Sequence, residues 1–378
     1  NVLAVTTRFW PDQQVIRKHL DQFKNRKAVR ILAKIKVYCQ AVLNRGSLID
    51  IGLLPKRNSS LIGSASLTAI SQQLRPEDTY VSLGTGWNDP SGCLVAERHR
   101  SMGGRTVQMI HDLIPIVRPD LHMDWVCSNF QAWLDRVSQC TTLFLCVSQN
   151  TANDLSNYLS SRRRAANVAV TPLAHEFPGF QRGQIAAMPL NASEPVISLK
   201  DKRFVICVGS IEQRKNGTRL IEAWTQAIKQ QPEDGDVALI FCGKRSWGLT
   251  EFDKALESAT QQGFDIRVIE NTSDEELAWL YSHCSFTVYV SLYEGWGLPV
   301  GESLWFHKRC LASQTSSVPE VGGPWVIYCE PERIDSITAG LSKLLAQSKL
   351  ASEGASLDIA HLRQWSDHAR DVMIALRA

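Results

Sequence analysis

Glu294 and Glu302, with seven residues between them, bracket the stretch SLYEGWGLPVGE at 291–302. Carboxylates accept hydrogen bonds from hydroxyls, and sugars and ribose are rich in hydroxyls. Between the two acids, Gly295 and Gly297 leave the backbone bare where a ligand must approach closely. Leu298 and Pro299 follow, and proline there is placed to start a helix whose N-terminus favours an anion such as a diphosphate. Upstream, FTVYV (286–290) is an apolar run of strand length, which suits a parallel strand buried on both faces. Strand, tight loop and helix together read as a cradle for a sugar nucleotide.

Two earlier loops bring cations to equivalent positions. GSIEQRKNGT (209–218) follows the apolar run FVICV (204–208) and offers Arg214 and Lys215 beside Gly209 and Ser210. GKRSWG (243–248) follows VALIFC (237–242) and offers Lys244 and Arg245. Ligands of parallel sheets bind beyond the carboxyl ends of the strands, so the three loops are expected on one side of a sheet. Cations with a helix N-terminus make a diphosphate site that needs no metal. One carboxylate can hold ribose hydroxyls, and the other is then free for the sugar. Taken singly, such pairs and loop acids are common on solvated surfaces; their order and spacing carry the reading.

The elements that must hold these loops alternate along the chain. TYVSL (79–83), TVQMI (106–110) and TLFLCV (142–147) are strand-like, with helical patterns at 125–139 and 150–159. In the second half IRVI (266–269) precedes Ser273-Asp274-Glu275-Glu276, a capping-box signature, and CLAS (310–313) precedes SSVPEVGG (316–323). Such alternation predicts parallel sheets with helices on both faces. After the strand at 79–83 come Trp87 and Asn88, and after that at 106–110 come His111 and Asp112. His111 and Asp112 could contact a sugar hydroxyl or assist proton transfer. Alternatively Asp112 caps the turn and His111 packs. Ser148 is a candidate N-cap for the helix after 142–147.

At 378 residues, with 44% hydrophobic and 21% charged residues, the chain reads as a globular protein of two domains. No apolar run approaches membrane-spanning length, and the start lacks the pattern of a signal peptide. Ten scattered cysteines without a CxxC pair read as buried, reduced thiols of a cytoplasmic protein rather than a zinc site. The net charge of +3 is uneven: residues 14–46 carry nine bases against one acid, or +8, leaving −5 elsewhere. That segment suits either a basic amphipathic helix on the cytoplasmic face of an anionic inner membrane or a helix packed on the first domain. It has few aromatics and no nucleic-acid module, so no nucleic-acid partner is expected.

VGSIEQRKN (208–216), CGKRSWG (242–248), SDEELAWLYSHC (273–284), SLYEGWGLPVGE and SSVPEVGG resemble, in that order, the motifs of family 4 retaining glycosyltransferases. HDLIP (111–115) and VSQNTANDL (147–155) resemble that family's first-domain motifs. The wording of EGWGLP, the GKR-x-W loop and HDLIP is similar to bacterial mannosyl- or rhamnosyltransferases of O-antigen or exopolysaccharide synthesis. The resemblance implies an α/β GT-B fold, two Rossmann-like doubly wound parallel-sheet domains facing across a cleft. It divides the chain into an acceptor domain at 1–180, a linker at 181–195, a nucleotide-sugar domain at 196–362, and a last helix at 363–378 returning to the first domain.

Carried onto matching positions, the resemblance implies that Glu294 faces the donor sugar and Glu302 the ribose. Lys215 matches the lysine that holds the diphosphate, with Arg214 adjacent, and His111 aligns with a first-domain residue that reaches the donor sugar. Gly209, Ser210, Lys244, Gly295, Gly297, Leu298 and Pro299 complete the expected donor site; Asp112, Trp87 and Asn88 are expected on the acceptor side. Many members carry an arginine where this chain has Ser210, so Arg214 or Lys244 would have to replace that cation. Many also carry a glycine-rich loop near the N-terminus, yet residues 1–20 hold no glycine. Either the chain begins after that loop or the first domain is rearranged. The implied reaction is metal-independent transfer of a sugar with retention, from GDP-mannose first or a dTDP- or UDP-sugar second. The acceptor would be a glycan or a lipid-diphosphate-linked saccharide. A non-catalytic sugar-nucleotide binder or assembly scaffold is the alternative; a dehydrogenase on similar sheets ranks below both, because no strand-linked GxGxxG is present.

Overall fold

The computed structural model describes residues 2–4, 74–84, 86–88, 90–350 and 361–378. The basic segment at 14–46 lies outside the described residues, as does nearly all of the glycine-free start. The chain divides into two compact units, one of residues 1–173 with 364–378 and the other of 174–363.

In the first unit β1 (Val2–Ala4), β2 (Thr79–Ser82), β3 (Arg105–Ile110), β4 (Leu143–Cys146) and β5 (Asn167–Val170) form a parallel sheet in the order 1-2-3-4-5. Helices α1 (Pro90–Ser101), α2 (Asp124–Val137) and α3 (Gln149–Ser161) lie between them in the chain. The core joins Tyr80, Ile110 and Phe144 of the strands to Leu134 and Leu155 of the helices. Ser148 caps α3 as expected, its Oγ accepting the Thr151 N–H at 3.0 Å.

In the second unit β6 (Phe204–Val208), β7 (Ala238–Cys242), β8 (Ile266–Ile269), β9 (Thr287–Tyr289), β10 (Cys310–Ser313) and β11 (Ile327–Cys329) form a parallel sheet in the order 11-10-9-6-7-8. Strand order reverses between β6 and β9, the switch point where such sheets open a crevice for ligands. Helices α4 (Gly217–Gln230), α5 (Thr250–Gln261), α6 (Asp274–His283), α7 (Leu298–Trp305) and α8 (Ile334–Leu350) cover both faces. The period of two in β6 explains its unbroken apolar sequence. Val205 and Cys207 pack with Leu220 and Trp224 on one face, while Phe204 and Ile206 pack with Trp279 and Tyr281 on the other. The capping box of α6 forms as expected: Ser273 Oγ accepts the Glu276 N–H at 3.1 Å, and Glu276 Oε2 accepts the Ser273 N–H at 2.8 Å.

Two boundaries differ from the sequence reading. The first unit ends at 173, and the expected linker at 181–195 is packed onto the second unit. Gly183 donates to the Trp305 carbonyl at 2.8 Å, Ala186 to Ser282 Oγ at 3.1 Å, and Ser193 to Glu276 Oε1 at 2.6 Å. Its prolines and its one glycine break periodicity but not burial, since Ala186 is a core residue and Met188 packs against that core. The last helix, α9 (Trp365–Arg377), belongs to the first unit, where Arg105 Nη1 donates to the Leu376 carbonyl at 2.8 Å. Among the described residues no helix is long and apolar enough to cross a membrane. Eight of the nine described cysteines are buried and all nine are free.

Trp224 is wholly buried in α4, between the sheet and α8. Trp224→Ala is expected to lower stability by about 3–5 kcal/mol, because the cavity left cannot collapse fully. Urea unfolding of both proteins followed by circular dichroism measures this.

Candidate functional site

At the switch point the loops after β6 and β7 run side by side. Parallel pairing continues beyond the strands: Gly209 donates to the Cys242 carbonyl at 3.0 Å, Ile211 to Lys244 at 2.8 Å, and Ser246 to Ile211 at 2.9 Å. Gly243 permits this approach, since a Cβ there would sit 2.1 Å from the Gly209 carbonyl oxygen. The β6 loop then makes one 3-10 turn, Gln213–Lys215, closed by Asn216 in the left-handed region at φ 62°. Asn216 Nδ2 donates to the Val290 carbonyl at 3.0 Å and the Pro331 carbonyl at 2.6 Å, which ties the turn to the end of β9.

That tie brings Arg214 and Lys215 onto Glu294. Lys215 Nζ lies 2.6 Å and Arg214 Nη1 2.6 Å from Glu294 Oε1, and Ser291 Oγ donates to the same oxygen at 2.5 Å. Arg214 also donates to the Tyr293 carbonyl at 2.8 Å and to Glu212 Oε1 at 2.7 Å. Lys215 also donates to the Tyr289 hydroxyl at 2.7 Å and lies over that ring. The Glu294 peptide is gripped from the β10 loop. Its N–H donates to Ser316 Oγ at 2.9 Å, and its carbonyl accepts from Ser317 Oγ at 2.9 Å. Beside this cluster is a cavity lined by Gly209, Ser210, Glu212, Lys215 and Tyr289.

The electrostatics follow from burial and partners. Burial alone would raise the Glu294 carboxyl, but Lys215 and Arg214 override it and hold the group well below the usual carboxylate range. Burial draws Lys215 down from its ordinary value against the pull of Glu294. Arg214, drawn down by burial, is pushed higher still by Glu294 and Glu212. Glu302 stands elsewhere on α7, where its Oε2 accepts from the Tyr281 hydroxyl at 2.8 Å. Burial pushes its carboxyl up to about 7, against the Tyr281 hydrogen bond and with help from Asp274.

The remaining expected residues are placed as follows. Gly295 and Gly297 are buried, and Gly297 caps α7 with φ 108°. Helix α7 opens at Leu298 with Pro299 second, so the helix begins one residue before the proline. The Lys244 side chain is exposed. Arg245 is turned away to Asp253 and the Phe252 ring, while Arg214 is held by two acids. Neither Lys244 nor Arg214 therefore lies in the cavity lining beside Ser210. In the first unit His111 Nε2 donates to the Leu83 carbonyl at 3.0 Å, and burial lowers the imidazole from its ordinary value. Asp112 Oδ1 accepts the Ile114 N–H at 3.0 Å, the turn-capping role. Trp87 packs 6.5 Å from both Trp125 and Phe130, in the Gly86–Asn88 turn. Sequence reasoning missed Glu212, Ser291, Tyr289, Tyr281, Ser316 and Ser317. Four of these lie inside quoted loops; the two tyrosines are hidden within apolar patterns.

Two Rossmann-like parallel-sheet units, one with an acid–cation cluster at its switch point, define a protein of the GT-B fold class. It shares that fold with HepE from Anabaena, solved with UDP and glucose, at a TM-score of 0.65 and 14% identity over 100% of this chain and 99% of that one. Sucrose-phosphate synthase from Thermosynechococcus elongatus matches at 0.60 and 16% identity, over 83% of this chain and 76% of that one. Residues 192–355 match the family model of glycosyl transferases group 1. The serotype-specific mannosyltransferase WbdA of Escherichia coli is 26% identical over 211 residues, 54% of this chain but 25% of that protein. The chain therefore spans about a quarter of WbdA's length. The O-antigen chain mannosyltransferase B of Escherichia coli is 26% identical over 265 residues, 69% of this chain and 67% of that protein.

Between the ordinary glutamate value of 4.5 and about 7 the folded protein keeps the Glu302 proton while the unfolded chain has lost it. The contribution of this group to stability is therefore present at low pH and lost as pH rises through that window. Glu302→Gln abolishes the titration. The melting temperature of Glu302→Gln relative to wild type is expected to rise between pH about 5 and about 8. Paired thermal scans at the two pH values read the difference.

Proposed function

We propose that the chain is a retaining hexosyltransferase acting on a nucleoside-diphosphate sugar, with mannose from GDP-mannose the first choice and a dTDP- or UDP-sugar the second. The acceptor is a glycan or lipid-linked oligosaccharide of bacterial surface polysaccharide. The observation that carries this reading is the buried Lys215–Glu294–Arg214 cluster at the switch point of the unit that matches the group 1 glycosyltransferase model. Mannosyl transfer is supported by the names of the two Escherichia coli relatives.

In this reading Lys215 receives the diphosphate, because only two of its three protons are engaged by Tyr289 and Glu294. The N-terminus of α7 adds positive potential for the leaving group. Glu294 Oε2, which none of the three donors to Oε1 uses, accepts a sugar hydroxyl. Glu302 takes the ribose hydroxyls. His111, donating through Nε2 to Leu83, is left with a neutral Nδ1 that can accept from a hydroxyl. Attack from the front face, with a leaving phosphate oxygen taking the acceptor's proton, needs no protein nucleophile. Cations supply the charge stabilisation, so chelation of divalent ions is expected to leave the rate unchanged.

The test is transfer and donor hydrolysis with a panel of GDP-, dTDP- and UDP-sugars. Lys215→Ala and Glu294→Ala should each lower the rate by about 10²–10³ with the preferred donor, as for the loss of a preorganised charge contact. Near-wild-type transfer by both would remove the cluster from the site. Saturable nucleotide binding without transfer or hydrolysis would instead mark a binding or scaffold protein.

A further inference from the structure

Glu212 is the one acid in the loop 209–218, and the proposed reaction gives it no task. Its side chain is 13% exposed, and it lines the cavity with Gly209, Ser210 and Lys215. Its Oε1 accepts from Arg214 Nη2 at 2.7 Å. Arg214 in turn bridges Glu212 and Glu294, and its exposure is also 13%. The cluster thus holds two cations and two carboxylates and sums to zero charge. An arginine wedged between acids screens rather than attracts an incoming anion. Lys215 is the cation of the cluster that also lines the cavity.

We propose that Glu212 sets the affinity of this cavity for nucleoside diphosphate: it neutralises Arg214, so that Lys215 alone presents a cation and the diphosphate product is released. The inference rests on the donor reading of the cavity. Without Glu212 the cluster carries one net positive charge beside a multivalent anion, and binding tightens. With product release slowed, kcat and the KM for donor fall together. If Glu212 served only to orient Arg214, its loss would loosen the loop and weaken binding.

The experiment is calorimetric titration of the full chain with GDP, dTDP and UDP at low and high salt, for wild type, Glu212→Gln, Arg214→Gln and the double variant. Glu212→Gln is expected to bind the preferred nucleotide about three- to tenfold more tightly, with the gain shrinking at high salt. Arg214→Gln should bind more weakly by a similar factor, and the double variant, neutral again, should return close to wild type. Equal or weaker binding by Glu212→Gln overturns the proposal, provided its melting temperature matches wild type. Should that variant unfold, the comparison of Arg214→Gln with the double variant decides, because an orienting role predicts no restoration. A wild-type chain that binds none of the three nucleotides overturns the donor reading together with this inference. Wild-type binding without tightening overturns the inference alone.

Discussion

One carboxylate oxygen, Glu294 Oε1, joins the loops of the second unit. Its side chain is 9% exposed, so an unpaired charge there would cost several kcal/mol. Lys215, Arg214 and Ser291 all converge on it within 2.6 Å. The lysine and the glutamate are 79 residues apart in the chain and meet only because β6 and β9 are neighbours. That adjacency is itself the reversal of strand order that opens the crevice. The ion cluster and the topology therefore require one another. Breaking one buried partner from such a cluster costs about 3–5 kcal/mol, which exceeds any cap or turn described above.

Rigidity comes from backbone grips rather than from the charges alone. Asn216 holds the β6 turn against the end of β9, and the serines of the β10 loop hold the peptide of Glu294 on both sides. Three successive strand ends thus fix one side chain. Charges held this way cost no reorganisation when a ligand arrives, which is the condition for electrostatic stabilisation in a dry site.

What could be read in advance was what depends on neighbours in sequence. The apolar runs, the capping box at Ser273, the Ser148 cap and the glycine loop between Glu294 and Glu302 are all local signals, and each formed. The partners across the sheet were not legible. Tyr289 reads as one more apolar strand residue, and only the strand pairing turns its hydroxyl toward Lys215. Glu212 and Ser291 carry no local signal that separates them from ordinary loop polar groups. The acids that hold Arg214 lie two and 80 residues away in the chain, and folding decides which anion it meets. The strands β5 and β11 are short and half-buried, so their composition carries little pattern. The stretch 181–195 differs for the opposite reason: its loop-like composition suits a linker, yet the segment packs onto the second unit.

The two glutamates of one motif are separated by environment, not by type. Glu294 faces two cations and stays ionised throughout the physiological range. The groups that act on Glu302 are burial, the Tyr281 hydroxyl and Asp274, none of them a cation, and its carboxyl titrates near neutrality. Two carboxylates whose surroundings drive their protonation apart can carry different tasks. A fixed anion is suited to orienting a hydroxyl while Lys215 is held in place. A carboxyl that is half protonated near pH about 7 can donate to or accept from a ribose hydroxyl. It also avoids a second full negative charge where a diphosphate is proposed to arrive. The seven-residue spacing sets both acids on the same loop and helix, but the position of Arg214 and Lys215 decides which of them is charged.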